Sequence, residues 1–254
     1  MDLKLKGRKA IVTGGSRGIG RAIAEFFADE GCDVGICARG EAGVKAAVTA
    51  LEARGVKAVG EAVDVANGDS IRRWVANMDK ALGGFDVYVS NVSALSVAGA
   101  DEAGWRHALD VDIMGSINGV EAALPVLERS SCASVVFIAT TGAVQVYGPR
   151  KPYPSVKSAL LAYMKHLSHD VAAKGIRVNA VSPGSIYFEG GVWDQRKKNE
   201  PERYARMLAL NPLGRFGKPE EIAAGVVFLS SPLSGYTSGT NLVIDGASTV
   251  RIQN

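Results

Sequence analysis

Cysteine is scarce: Cys32, Cys37 and Cys132 are the only three in 254 residues. An odd number without C-x-x-C spacing suggests neither a disulfide framework nor a zinc site, and free thiols fit a reducing cytoplasm. His107, His166 and His169 fall in helical stretches without a ligand pattern, so they read as structural or solvated and no metal is expected. No apolar run approaches the roughly 20 residues that cross a bilayer, and Met1-Asp2-Leu3-Lys4-Leu5-Lys6 lacks the apolar core of a leader. An excess of one sign of charge is also missing. The net charge is +3 with scattered bases, too little to argue for nucleic acid. Arg196-Lys197-Lys198 forms a short basic cluster that reads as a solvated loop. Together these absences predict a soluble cytoplasmic protein without membrane or nucleic-acid partners.

What is present is a composition 47% hydrophobic, enough for a substantial core in one domain spanning 1–254. Residues 10–12 read as a buried strand and 21–30 as an amphipathic helix with Ile23, Ala24, Phe26 and Phe27 inward. Between them lies Thr13-Gly14-Gly15-Ser16-Arg17-Gly18-Ile19-Gly20. Glycines there let the backbone turn sharply and approach a ligand, while the free N–H groups of the new helix face an anion. A diphosphate is the natural guest, although a turn that merely packs a helix on a sheet uses the same residues.

Strands and helices then alternate. Strands are expected at 33–37, 56–63, 86–90, 133–139, 176–181 and 241–244, and helices at 41–54, 70–82, about 101–127, 155–173 and 219–230. Such alternation implies parallel β-α-β units with right-handed crossovers. Residues 185–213 are the least regular, and Gly190-Gly191 and Pro201 suggest a loop with a short helix over the active site.

In dinucleotide folds the end of the second strand faces the adenine-side ribose, where an acid favours NAD and an Arg accommodates a 2′-phosphate. Here that end reads Ala38-Arg39. With Arg17 in the glycine turn, two guanidinium groups are available for bidentate phosphate recognition, so NADP(H) is preferred over NAD(H). In the bland alternative Arg39 is solvated and Arg17 pairs with a surface carboxylate. Tyr153-Pro154-Ser155-Val156-Lys157 puts a phenol and an ammonium one helical turn apart. An unperturbed Tyr titrates near pH ~10, and a cationic neighbour lowers that value towards the range useful for proton transfer.

Further landmarks are Asp64-Val65, Asn91, Thr140 thirteen residues before Tyr153, Asn179-Ala180-Val181-Ser182-Pro183-Gly184, Asn211-Pro212-Leu213-Gly214-Arg215 and Ile244-Asp245-Gly246. The whole pattern resembles the short-chain dehydrogenase/reductase family, and within it the 3-oxoacyl-[acyl-carrier-protein] reductase-like members. The resemblance implies an α/β, single-domain Rossmann fold, a doubly wound parallel sheet with helices on both faces. It implies hydride transfer between NADP(H) and a carbonyl or secondary alcohol, with Tyr153 as proton donor, Thr140 on the carbonyl oxygen and Lys157 on the nicotinamide ribose. It assigns Gly14, Ser16, Arg17, Gly18, Ile19, Gly20, Arg39, Asp64, Val65, Asn91, Tyr153, Lys157, Pro183, Gly184 and Ile186 to the cofactor. A homotetramer is the family's usual assembly. A 3-oxoacyl thioester is the first substrate implied, with Arg129 and Lys174 as contacts for an acidic carrier protein. Sugars, steroids and small ketones are the alternative.

Four departures cluster near the expected nicotinamide position. Val92-Ser93 replaces Ala-Gly, Thr140 replaces Ser, and Phe188 stands where a Thr is usual. Phe188 either lines a substrate pocket or packs under the lid. Asp112 takes the place of a catalytic Asn, and its negative charge would raise the Tyr153 pKa. Asp112 is then protonated, turned away, or part of an altered relay. The alternative of another class is an NADP(H)-binding regulatory or scaffold protein with little turnover.

Overall fold

Seven short apolar runs become the strands of one parallel sheet in the computed structural model, which describes residues 2–94, 99–148 and 150–252. They are β1 (Lys9–Thr13), β2 (Asp33–Ala38), β3 (Ala58–Ala62), β4 (Val87–Ser90), β5 (Ser134–Ile138), β6 (Arg177–Pro183) and β7 (Asn241–Ile244). Their order, β3-β2-β1-β4-β5-β6-β7, reverses direction between β1 and β4. At such a reversal the crossovers leave to opposite sides and open a crevice beyond the carboxyl ends of the strands. The glycine turn leaves β1 at that crevice.

Alternating strand residues feed two cores. Ile11, Tyr88, Val135 and Phe137 face one side with Trp74, Met78, Leu160 and Met164, while Val12, Ile36, Val136 and Val181 face the other with Phe27, Ile222 and Val226. Helices α3 (Gly68–Leu82), α5 (Gly115–Leu127) and α6 (Pro152–Asp170) supply residues to the first core, and α1 (Gly18–Asp29), α2 (Glu41–Glu52) and α9 (Pro219–Ser230) to the second. Each fully buried side chain of this size contributes roughly 1.5–3 kcal/mol, and both faces of the sheet are covered. That is why the strands read as continuous apolar runs rather than alternating ones.

Two regions differ from expectation. Residues 101–127 form α4 (Glu102–Ala108), a wider π-helical turn over Leu109–Met114, and then α5. Periodicity cannot distinguish such a turn from continuous helix, since one extra residue shifts the apolar stripe only locally. Residues 185–213 carry two helices, α7 (Val192–Asn199) and α8 (Pro201–Ala209), separated by Glu200. Pro201 does not break a helix there; it starts the second one, where its missing N–H costs nothing.

The start of α6 is also earlier than expected. Pro152 and Pro154 both occupy its first turn, where no backbone donor is needed, so Tyr153 is already helical and Lys157 lies one turn below it.

Candidate active site

The crevice is a cleft of about 1870 Å³. Its floor is the glycine turn. Gly18 has φ of +55°, a conformation that side chains with a Cβ rarely adopt. A Cβ on Gly20 would overlap the Gly14 carbonyl and the Asn91 amide, so this turn tolerates only glycine there. Asn91 holds the turn from the side: its N–H donates to Thr13 Oγ1 at 2.9 Å and its Nδ2 to the Thr13 carbonyl at 2.9 Å. Its position at the end of β4 therefore ties two strands together beneath the cleft.

Gly14, Ser16, Arg17, Ile19 and Gly20 line one end with Arg39, Asp64 and Val65, while Asn91, Pro183, Gly184 and Ile186 line the middle. Gly18 is an exception among the expected cofactor residues. The ring of Phe188 lies directly over it, so Gly18 is absent from the wall while Phe188 is part of it. Phe188 lines the cleft and packs between the turn and the segment before α7. Arg17 and Arg39 are exposed on the wall, and neither forms an ion pair among the described residues. The alternative in which Arg17 is neutralised by a surface carboxylate is not what the structure shows.

Thr140, Tyr153 and Lys157 lie on the same cleft. Thr140 lies two residues beyond β5, and its Oγ1 accepts from Gly142 N at 3.2 Å, which orients the side chain at the start of a short 3-10 turn. The hydroxyls of Thr140 and Ser93 lie close enough to the Tyr153 phenol to pull its pKa down. Ser93, which enters the sequence analysis only as part of the Val92-Ser93 departure, lines the cleft. The signal was its hydroxyl, two positions after Asn91.

Lys157 is 1% exposed and Asp112 fully buried. The Lys157 Nζ lies 3.0 Å from Asp112 Oδ1 and donates to the Val92 carbonyl at 3.2 Å. Asp112 Oδ2 accepts from Ala94 N at 3.1 Å, and the contact of Oδ1 with Lys157 is an ion pair rather than an aligned hydrogen bond. Asp112 sits in the π-helical turn, which aims it at Lys157 from behind the wall. Asp112 stands beside Lys157 as a buried counter-ion, and it is not among the residues that line the cleft.

The pairing has an electrostatic consequence. The Tyr153 phenol is held well above its usual range, chiefly by desolvation and then by the Asp112 charge; the Thr140 and Ser93 hydroxyls pull the other way. The sequence reading expected Lys157 to lower that pKa. Lys157 is instead engaged by a carboxylate of opposite sign, and at the phenol it is the Asp112 charge that acts, in the raising direction.

Trp193 and Tyr147 line the cleft, as does His107, which the sequence reading placed among the structural or solvated residues. The Tyr187 hydroxyl donates to Asp194 Oδ1 at 2.9 Å. Arg129 is paired with Asp79 at 2.6 Å and Lys174 with Glu128 at 2.7 Å. Both cations remain about half exposed, at 57% and 51%. No group of acidic, histidine or cysteine side chains able to hold a metal occurs among the described residues, and no described helix is long and apolar enough to cross a membrane.

A doubly wound sheet, a glycine turn at its reversal point and a Tyr and Lys one helical turn apart beside it define a dinucleotide-dependent oxidoreductase of α/β class. Comparison with known proteins narrows this. Residues 14–249 match the family described as enoyl-(acyl carrier protein) reductase. The chain is 38% identical over 246 residues to the isoepoxydon dehydrogenase of Penicillium expansum, covering 95% of each. It is 33% identical over 247 residues to the 3-oxoacyl-[acyl-carrier-protein] reductase of Chlamydia trachomatis, covering 95% of this chain and 97% of that one. The L-sorbose reductase of Gluconobacter frateurii, crystallised with NADPH and L-sorbose, superposes with a TM-score of 0.90 at 29% identity, over 99% of this chain and 100% of that one. The protein belongs to the short-chain dehydrogenase/reductase family.

Proposed function

We propose that the protein is an NADP(H)-dependent oxidoreductase that interconverts a ketone and a secondary alcohol in a small, oxygen-rich substrate. The observation that carries this reading is the convergence of Thr140, Tyr153 and Lys157 on a cleft whose far end presents two unpaired guanidinium groups. The glycine cradle leaves room for a diphosphate against the start of α1. Arg17 and Arg39 fit the 2′-phosphate that distinguishes NADP(H) from NAD(H). Bound NADPH supplies the hydride.

The protein supplies orientation and the proton. A phenol with a raised pKa remains protonated through neutral pH, so Tyr153 is available as the acid for a carbonyl oxygen, with Thr140 and Ser93 beside its hydroxyl. In the reverse direction the phenolate is the base, and its scarcity near neutrality makes alcohol oxidation favour alkaline conditions. Reduction is the direction this arrangement supports. The small-substrate reading draws on the isoepoxydon dehydrogenase and L-sorbose reductase relatives. The 3-oxoacyl thioester is the second reading, supported by the Chlamydia relative.

The test is NADPH against NADH consumption on a panel of hydroxyketones and a short 3-oxoacyl thioester. NADPH should be preferred. Replacing Arg39 by Ala should lower that preference by about tenfold, the equivalent of one charge-assisted phosphate contact. An unchanged preference in Arg39→Ala and Arg17→Ala alike would remove both from phosphate recognition.

A further inference from the structure

The basic cluster of the α7 segment does not behave as a solvated loop. Its first member, Arg196, turns inward onto the cleft wall and stacks on Trp193, with Cζ 4.7 Å from the ring centroid. Stacking on an aromatic face holds a guanidinium in place while leaving its in-plane donors free. Arg203, from the next helix, lies on the same wall and contributes a second positive charge close enough to act on Arg196. Glu200, at the junction of α7 and α8, bonds Arg203 at 2.8 Å and also feels Arg196 and Lys151. Lys151, Arg196 and Arg206 line this part of the cleft without an ion pair among the described residues. Glu202 is the other carboxylate on this wall. Positive charge is in excess on a concave, partly desolvated surface, beyond the residues assigned to the cofactor.

We propose that this wall is an oxyanion subsite, and that the substrate carries a carboxylate or phosphate group in addition to its carbonyl. The inference rests on the oxidoreductase reading above and adds to it the chemical class of the substrate. Arg196 and Arg203 are its specificity-determining residues, each offering planar paired donors that match an oxyanion. Glu200 pairs with Arg203 without cancelling the wall, since two carboxylates, Glu200 and Glu202, stand among four cations, Lys151, Arg196, Arg203 and Arg206. A neutral substrate would leave Arg196, half-buried against Trp193, with no anionic partner among the described residues, and an unmet charge of this kind is a source of discrimination.

The test is calorimetric titration of the NADP+-saturated protein with cyclohexanecarboxylate, cyclohexyl phosphate and cyclohexanecarboxamide, three ligands of similar shape that cannot be reduced. At least one anion should bind about tenfold more tightly than the amide; which of the two is tighter identifies the oxyanion. Arg196→Gln should reduce the anion-to-amide ratio by about the same factor. Because Arg196 also packs on Trp193, Arg203→Gln provides an independent variant with the same expected loss, and Arg196→Lys should restore part of the ratio. Equal binding of all three ligands, no measurable anion binding, or a ratio untouched by both glutamine variants would overturn the subsite. Since the readout is binding, its failure is separable from that of the function. Turnover of neutral ketones without anion preference refutes this inference alone, whereas anion preference without hydride transfer on any carbonyl refutes the oxidoreductase reading.

Discussion

Replacing Tyr153 by Phe lowers the rate of NADPH-dependent carbonyl reduction by about 10²- to 10⁴-fold, the usual worth of a positioned general acid. The ring is retained at the start of α6, so the fold and the affinity for NADPH should change little. Loss should therefore appear in kcat rather than in cofactor binding, because an interaction made only as the proton moves is removed. Cofactor titration by fluorescence beside steady-state kinetics separates the two. Thr140 and Ser93 would retain their hydroxyls in this variant, and a residual rate from orientation alone is expected. A rate within a few-fold of the wild type would mean that the proton comes from elsewhere in the cleft.

The second large effect concerns the buried pair. Asp112→Ala leaves the Lys157 ammonium 1% exposed without its counter-ion, and removing one partner of such a pair costs about 3–5 kcal/mol. For a chain of this size that lowers the melting temperature on the order of 10 °C. Asp112→Asn separates charge from shape. Its amide oxygen can still face Lys157, but the acceptor for Ala94 N is lost unless the amide is reversed. A smaller stability loss is expected, with a distinctive kinetic result.

The negative charge that raises the Tyr153 pKa disappears in Asp112→Asn, so that pKa falls. The sign follows directly. Reduction needs the phenol protonated, so its alkaline limit moves to lower pH; oxidation needs the phenolate, so its onset also moves to lower pH. A pH–rate profile in both directions checks this. A merely structural role for Asp112 would lower stability and leave both profiles where they were.

Much of this was legible in the chain itself. The strand-glycine-helix turn, the seven strand signals and the Tyr153/Lys157 spacing all arise from local patterns, and local patterns are what sequence periodicity reports. The landmarks near Asn211 and Asp245 were also visible, and the structure shows why they travel together: Asn211 Nδ2 donates to the Asp245 carbonyl at 3.3 Å, tying the end of the α8 segment to the turn after β7. What was not legible is three-dimensional. That Asp112 faces Lys157 depends on the π-helical turn, which rotates one residue of an otherwise regular helical stretch. The Ser93 contact depends on where the loop after β4 ends. Arg196 looked solvated because its sequence neighbours, Lys197 and Lys198, are indeed exposed. Only the fold shows that consecutive residues of α7 face opposite ways.

Arg129 and Lys174 illustrate the converse. Read from the sequence they are free cations, yet Asp79 and Glu128, each 46 or more positions away, pair with them. A charge has no partner in a sequence until the fold supplies one.

The most direct test of hydride transfer at this site uses NADPH deuterated at the transferring position of the nicotinamide. The protein is incubated with the carbonyl panel, and the products are analysed by mass spectrometry for the wild type and Tyr153→Phe. One deuterium at the former carbonyl carbon, delivered to a single face and strongly reduced in Tyr153→Phe, is the predicted result. Tight binding of the labelled cofactor with no deuterium in any product would contradict it and leave a nucleotide-binding protein without this chemistry.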